Sequence, residues 1–111
     1  MLITLLTDLG YKDYYTAIVK GKLYSSFEDI SIVDISHEVP PFDIEAAAFI
    51  LMSSYKHFPA GTIHLVNVEA VENRSKNILF GRFKDQIFIG PDNGVFPLAF
   101  VAFVPLLIAN Y

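Results

Sequence analysis

Residues 32–51 read IVDISHEVPPFDIEAAAFIL, and this stretch predicts a strand, a turn and a helix in direct succession. A short apolar run directly before Asp34 is typical of a buried strand, which we predict over residues 31–34. Pro40 and Pro41 mark a turn, and Asp43 starts the clearest helix of the chain, which ends near His57. One face of this helix is apolar at the spacing of successive helical turns. Its members are Ile44, Ala47, Ala48, Leu51 and Tyr55.

The flanking segments extend the same alternation of strands and helices. Residues 2–6 form an apolar run that ends at a polar pair, as the central strand of a parallel sheet does. A second helix is predicted from Asp13, and a third strand over residues 61–68. Residues 78–83 and 86–90 form a predicted hairpin around the turn Lys84-Asp85. This order predicts an α/β fold of three layers (α/β/α), Rossmann-like, with right-handed crossovers and a mostly parallel central sheet.

The composition favours one globular domain that binds small molecules. The chain has 111 residues, of which 53% are hydrophobic, and a net charge of -4. Scattered basic residues argue against binding to nucleic acid. Without cysteine there is no disulfide framework, and a reducing, cytoplasmic location is expected. The start of the chain lacks the basic region of a signal peptide.

Residues 96–109 form an apolar tail without a charged residue. These fourteen positions are shorter than the roughly 20 residues that cross a bilayer, so we expect no membrane anchor. Pro97 and Pro105 disfavour one uninterrupted helix. An apolar run at a terminus should be covered by other residues. We therefore interpret residues 97–111 as an atypical tail at the edge of a truncated domain, with an altered reading frame as the alternative.

General site motifs are absent from the sequence. It contains no GxGxxG run after the first strand, no phosphate-binding GxxxxGK[ST] loop and no HExxH pair. A metal site of His37, Asp34 and Asp8 is conceivable, because imidazole and carboxylate suit several divalent ions. Ordinary structural histidines are the favoured interpretation, since no compact ligand spacing is present. We therefore expect no metal.

Four blocks of the sequence resemble one known family, the S-adenosylmethionine hydroxide adenosyltransferases, which include relatives that halogenate the same substrate. TDLGYKDYYTAIVKGKL at residues 7–23 is similar to the family pattern TDxGxxDxYxxxxKG. Residues 32–51 are similar to VDI[TS]Hx[IV]PPxDIxxAA, and residues 58–68 and 89–96 supply two further matches. The chain is thereby identified as the N-terminal α/β domain of such a protein, at residues 1–111, lacking the family's C-terminal β domain.

The resemblance implies that water attacks C5′ of the ribose of S-adenosylmethionine (SAM) and expels methionine, giving adenosine. SAM is the substrate, and no cofactor is implied. The family's site lies between the N-domain of one subunit and the C-domain of its neighbour in a trimer, and includes a histidine from further along the chain. We therefore expect a homo-oligomer, and we expect the chain by itself to hold half a site and to be inactive.

The resemblance also assigns candidate substrate contacts. Asp8 is placed at the ribose hydroxyls, because a carboxylate can accept hydrogen bonds from both. The alternative is a loop-capping role at the end of the first strand. Phe42 is placed against the substrate, and the alternative is a core contact or a staple on the following helix. Asp13 and Asn93 are interpreted mainly as a helix cap and a turn residue that could line the rim of the pocket.

The segment after the third strand departs from the family pattern. Family hydrolases have VDPGVGTxRR there, whose Asp and Arg are thought to order the attacking water, whereas this chain has VEAVENRSKN. Glu69 stands at the Asp position, and Arg74 is the candidate cation, with Lys76 as an alternative. The glycine pair of the family loop is missing. The sequence thus also allows an inactive module that binds adenosine or SAM, or serves only in oligomerisation.

Overall fold

The computed structural model describes residues 1–69, 77–100 and 102–110. Its strands are β1 (Leu2–Thr7), β2 (Ser31–Ser36), β3 (Ile63–Asn67), β4 (Asn77–Phe83), β5 (Gln86–Pro91) and β6 (Val104–Asn110). Its helices are α1 (Tyr15–Ser26), α2 (Ile44–Ser54) and α3 (Val95–Ala99), and a 3₁₀ turn at Tyr55–His57 extends α2. The predicted α/β class is confirmed. In these described ranges no helix is long and apolar enough to span a membrane.

One sheet with the strand order β2-β1-β3-β5-β4-β6 forms the centre of the domain. The neighbours β2, β1, β3 and β5 are parallel, whereas β4 is antiparallel to both β5 and β6. The sheet is therefore mixed, and the prediction of a mostly parallel sheet holds only for its first four strands. The reason is the hairpin β4–β5, whose two-residue turn reverses the chain at Lys84 and Asp85.

The two crossovers from β1 to β3 place the helices on opposite faces of the sheet. From β1 the chain moves to β2 on one side, and from β2 it passes over β1 to reach β3 on the other side. Both connections are right-handed, but they run in opposite directions across the sheet. They therefore put α1 on one face and α2 on the other. Alternation along β1 agrees, since Leu6 joins the core beneath α2 while Leu5 is buried on the opposite face.

Helix α2 matches its prediction closely. Asp43 is its N-cap, and the Asp43 carboxylate accepts a hydrogen bond from the Ala46 N–H at 2.9 Å. All of the predicted apolar face is buried in the core or packed against it. Helix α1 begins two residues later than predicted, at Tyr15, whose N–H donates to Asp13 at 3.2 Å.

The apolar tail divides into a buried and an exposed part. Phe96 and Phe100 are almost fully buried and pack around Phe88 of β5, with ring centroids 5.9 and 4.8 Å away. Four residues of this segment, Val95, Phe96, Ala99 and Phe100, are thus buried in the core, because α3 folds against α2. Strand β6 lies at the edge of the sheet, where Leu107 and Ile108 are more than half exposed.

A buried histidine connects β1, β3 and β5 in the interior. The His64 ring lies 4.9 Å from Phe88, and its Nδ1 is 2.6 Å from the Thr4 hydroxyl. Its Nε2 is hydrogen-bonded to the Gln86 amide oxygen, and the Gln86 amide NH₂ donates to the Tyr55 carbonyl at 3.0 Å. Every polar atom in this network therefore has a partner inside the fold, as burial requires.

We expect this histidine to make folding stability fall in mild acid. Burial lowers the pKa of His64 below its ordinary 6.5, although the Gln86 hydrogen bond partly opposes the shift. Because the unfolded chain then binds more protons, the stability that neutral His64 contributes is fully present above about pH 6.5. It is lost as the pH falls through the pKa of His64 in the folded state. Urea unfolding at about pH 7.5 and about pH 5.5 checks this. His64→Gln should lose less stability between the two pH values than the wild type, and an equal loss would contradict the assignment.

Candidate functional site

Polar residues gather where the parallel strands end. Asp8 follows β1, His37 follows β2, Glu69 lies two residues after β3, and Asn93 lies two residues after β5. The carboxyl ends of parallel strands meet at one edge of a sheet, which is where open α/β folds bind their ligands. The Asp8 N–H extends the pairing of β1 with β3, donating to the Asn67 carbonyl at 3.4 Å. We refer to this edge as the carboxyl edge.

Asp8 and Phe42 are neighbours at the carboxyl edge. The Phe42 N–H donates to Asp8 Oδ2 over a long distance of 3.5 Å. Such a bond uses little of the capacity of a carboxylate, which can accept about four hydrogen bonds. The Phe42 ring is 54% exposed, so the core contact considered as its alternative role is not what the structure shows. An acidic acceptor thus stands beside an exposed aromatic face.

The backbone at Phe42 is strained. The Asp43 N–H donates to the Pro40 carbonyl at 3.1 Å, which closes a four-residue turn, and Phe42 has a φ of 65° in the third position. With Pro41 second, this is the geometry of a type II turn, whose third position normally needs glycine. A bulky residue there costs of order 1–3 kcal/mol. An exposed aromatic residue kept in a glycine position points to a role for its side chain.

Asn93 fixes the end of β3. Its Nδ2 donates to the Val68 carbonyl at 2.7 Å, and its Oδ1 accepts from the Val95 N–H at 3.2 Å. Asn93 therefore joins the first turn of α3 to the residue directly before Glu69. This contact is the turn-shaping role expected for Asn93, and it holds the chain next to Glu69 rather than presenting a free amide.

The structure describes two further candidates, Asp13 and Glu69. The Asp13 side chain is exposed and bound to the Tyr15 N–H at the start of α1. Arg74 and Lys76 lie outside the described residues, so the pairing of Glu69 with a cation stays a prediction. Glu69 is half-buried and lies two residues after the end of β3, so its role also stays a prediction.

A chain of side chains behind Asp8 was not foreseen from the sequence. The Thr7 hydroxyl lies 2.6 Å from His37 Nδ1, and His37 Nε2 lies 2.7 Å from Asp34 Oδ1. Lys20 Nζ of α1 donates to Asp34 Oδ2 at 2.5 Å. Since a carboxylate only accepts, His37 Nε2 donates to Asp34, and in the neutral ring Nδ1 accepts from Thr7. We call these four residues the Thr7–Lys20 relay.

The relay is charged at its outer end. Burial raises the pKa of Asp34, but the hydrogen bonds from Lys20 and His37 outweigh it, so the pKa is lowered below the ordinary 3.8. The hydrogen bond to Asp34 raises the pKa of Lys20 above its ordinary 10.5, although burial opposes this. Both groups are therefore ionised near neutral pH. Their side chains remain 26% and 34% exposed, so the pair itself adds modest stability.

His37, at the carboxyl edge, uses both of its ring nitrogens within this relay. Both His37 ring nitrogens have protein partners, and the ring is 1% exposed. Within residues 1–69, 77–100 and 102–110 no group of three or more His, Cys, Asp or Glu side chains is placed to hold a metal ion. The considered metal site of His37, Asp34 and Asp8 therefore has no support in the described part of the chain.

The chain is thus an α/β domain with acidic and aromatic groups at the carboxyl edge of its sheet, which is where open α/β folds bind their ligands. Residues 3–106 match the family model described as the SAM hydroxide adenosyltransferase N-terminal domain. The chain therefore belongs to the SAM hydroxide adenosyltransferase family.

Several named relatives are similar to this chain. It is 33% identical to the (R)-S-adenosyl-L-methionine hydrolase of Methanocaldococcus jannaschii in an alignment of length 100 that covers 86% of this chain and 38% of that protein. It is 37% identical to the fluorinase of Nocardia brasiliensis over 62 residues, or 56% of this chain and 21% of the fluorinase. The chain thus spans about two fifths of the length of the hydrolase.

Two solved structures share this fold. The crystal structure of an uncharacterized conserved protein from Thermotoga maritima aligns with 99% of this chain and 42% of its own, with a TM-score of 0.79 and 32% identity. A conserved hypothetical protein from Thermus thermophilus aligns with a TM-score of 0.78 and 29% identity, over 96% of this chain and 44% of its own.

Proposed function

We propose that the protein carrying this chain hydrolyses SAM to adenosine and methionine. The observation that carries the proposal is the pair of Asp8 and Phe42 at the carboxyl edge, a carboxylate with spare acceptor capacity beside an exposed ring held in a strained turn. The family membership and the names of the relatives give the pair its substrate.

In the proposed reaction a water oxygen bonds to C5′ of the ribose while the bond from C5′ to sulfur breaks. The bonding electrons go to the sulfonium, which leaves as the neutral thioether of methionine, and the water gives up one proton. The demands on the protein are to orient the ribose and to exclude other water. Asp8 would accept hydrogen bonds from the two ribose hydroxyls, and the Phe42 ring would cover an apolar face of the substrate.

Glu69 and Arg74 are the proposed partners of the attacking water. Glu69 leaves the end of β3 beside the residue that Asn93 holds, so its backbone has a defined position. Arg74 would supply positive charge from the loop that follows. The homotrimer, the contribution of a neighbouring C-domain, the N-terminal α/β domain assignment and the cytoplasmic location belong to the same proposal.

The departure of residues 69–76 from the family loop motivates the second candidate, a module that binds adenosine or SAM without turnover. One experiment separates the two. The protein expressed from its whole coding sequence is incubated with SAM, and the products are separated by chromatography. Adenosine and methionine in equal amounts support hydrolysis. Calorimetric binding of adenosine with no product formed would overturn hydrolysis in favour of the binding module.

Phe42→Gly should stabilise the fold while weakening the function. Glycine removes the strain of the positive φ, and the lost ring is mostly exposed, so the free energy of unfolding should rise by about 1 kcal/mol. The same change removes the proposed substrate contact, and we expect kcat/KM for SAM to fall about tenfold. Urea unfolding and adenosine formation measure the two effects.

Lys84→Gly is the matched control for Phe42→Gly. Lys84 also has a positive φ, of 55°, but it lies in the β4–β5 turn, at the amino end of β5 and far from the carboxyl edge. It should give a similar gain in stability with unchanged activity. A Phe42→Gly protein as active as Lys84→Gly would contradict the role given to the Phe42 ring.

A further inference from the structure

The loop that carries Asp8 is hydrogen-bonded to the segment after β2 on both of its sides. The Gly10 N–H donates to the His37 carbonyl at 2.7 Å, and the Val39 N–H donates to the Thr7 carbonyl at 3.3 Å. Within the loop the Leu9 N–H donates to the Thr7 hydroxyl at 3.2 Å. The residues before and after Asp8 are thus fixed to His37 and its neighbours.

The Thr7–Lys20 relay sets the orientation of this attachment. The Thr7 hydroxyl accepts from the Leu9 N–H, and with a neutral His37 ring it donates its proton to His37 Nδ1. The His37 ring is held from its other side by Asp34, which Lys20 in turn holds. Thr7 and His37 are 3% and 1% exposed, so water does not replace these bonds. A continuous path therefore runs from α1 to the backbone on either side of Asp8.

We propose that Thr7, His37, Asp34 and Lys20 are positioning residues for the ribose contact of Asp8. This inference rests on the proposed function. The four relay residues do not touch the substrate themselves. They keep the Asp8 carboxylate at the angle at which both oxygens meet the ribose hydroxyls. Small displacements of a binding group can reduce its effect by up to about 100-fold, so a rigid support behind Asp8 has a measurable value.

The chain offers an internal control for this proposal. Thr4 lies three residues before Thr7 on the same strand, and its hydroxyl is also 2.6 Å from Nδ1 of a buried histidine, His64. That second network ends at Gln86 and the backbone carbonyls of Tyr55 and Phe58, away from the carboxyl edge. Thr4→Val and Thr7→Val therefore remove the same kind of buried hydrogen bond, and only Thr7→Val removes one that supports Asp8.

The test is calorimetric binding of adenosine and of 2′,3′-dideoxyadenosine, which lacks both ribose hydroxyls, to the protein expressed from its whole coding sequence. Thr7→Val should weaken adenosine binding about tenfold and change dideoxyadenosine binding less than about twofold. Thr4→Val should change neither affinity. Thr7→Ser, which keeps the hydroxyl, should restore adenosine binding. If Thr7 had a merely structural role, Thr7→Val would instead weaken the binding of both ligands alike.

Lys20→Met gives a second variant at the outer end of the relay, where the Lys20 side chain is 34% exposed. Like Thr7→Val, it should lose affinity for adenosine and not for dideoxyadenosine, and its loss for adenosine should be the smaller of the two. Equal losses for both ligands, or full adenosine affinity in both Thr7→Val and Lys20→Met, would overturn the inference.

Failure of the proposed function gives a different result. A wild-type protein that binds adenosine and forms no product from SAM overturns hydrolysis, and the ligand comparison still decides the inference. A wild-type protein that hydrolyses SAM, with a KM that Thr7→Val leaves unchanged, overturns the inference alone. A wild-type protein that does not bind adenosine overturns the ribose contact and with it the relay's role.

Discussion

Asp8→Ala is expected to lower kcat/KM for SAM by roughly 100-fold or more. The carboxylate would accept two hydrogen bonds from the ribose, and hydrogen bonds to charged groups contribute about 1.5–3 kcal/mol each. Alanine removes both while leaving the pairing of the Asp8 N–H with Asn67 in place. Because the ribose is held in the bound substrate and in the transition state alike, most of the loss should appear as a higher KM. Steady-state adenosine formation measures it.

Asp85→Ala is the control for this change. Asp85 is an exposed acidic residue in the β4–β5 turn at the opposite edge of the sheet, so the variant removes the same charge without touching the carboxyl edge. Its kcat/KM should equal that of the wild type. If Asp8→Ala were also fully active, the carboxyl edge of β1 would not be the ribose site.

Phe88→Ala is expected to destabilise the domain by about 3–5 kcal/mol, the usual cost of deleting a buried aromatic side chain. Phe88 is fully buried and contacts rings on several elements, among them His64 at 4.9 Å and Phe100 at 4.8 Å. The free energy of unfolding of a domain of this size is roughly 5–15 kcal/mol, so the variant would lose a large part of it. Urea unfolding measures the loss.

Two variants complete this comparison. Phe88→Leu keeps an apolar side chain of similar size and should cost less than about 1.5 kcal/mol. Phe49→Ala removes an aromatic ring that is 65% exposed and should stay within about 0.5 kcal/mol of the wild type. Equal stabilities of Phe88→Ala and Phe49→Ala would contradict the placement of residues 95–100 against β5.

Local sequence signals predicted most of the elements, because each was marked by its own residues. Asp43 before an apolar helical face identified the start of α2, and Lys84-Asp85 between two apolar runs identified the hairpin. The tail was harder to interpret. Its buried part became evident only when Phe96 and Phe100 were seen around Phe88.

The candidate site was predictable only in part. Family-like motifs named Asp8 and Phe42, but not that the Phe42 N–H binds Asp8, which lies 34 positions earlier. The pairing of Thr7 with His37 also joins residues 30 positions apart and depends on β1 lying beside β2. Such contacts follow from strand order, which local spacing does not encode. The positive φ of Phe42 could not be predicted either, because the usual signal for it is a glycine and this chain has an aromatic residue there.

In the proposed reaction, water attacks C5′ of SAM at this carboxyl edge. The most direct measurement is hydrolysis of SAM in ¹⁸O-labelled water by the protein expressed from its whole coding sequence, with mass spectrometry of the adenosine. We predict adenosine that carries the label on its 5′ oxygen, and roughly 100-fold less of it from Asp8→Ala in the same time at SAM concentrations below KM. Unlabelled adenosine, or a product cleaved at another bond, would contradict attack of water at C5′.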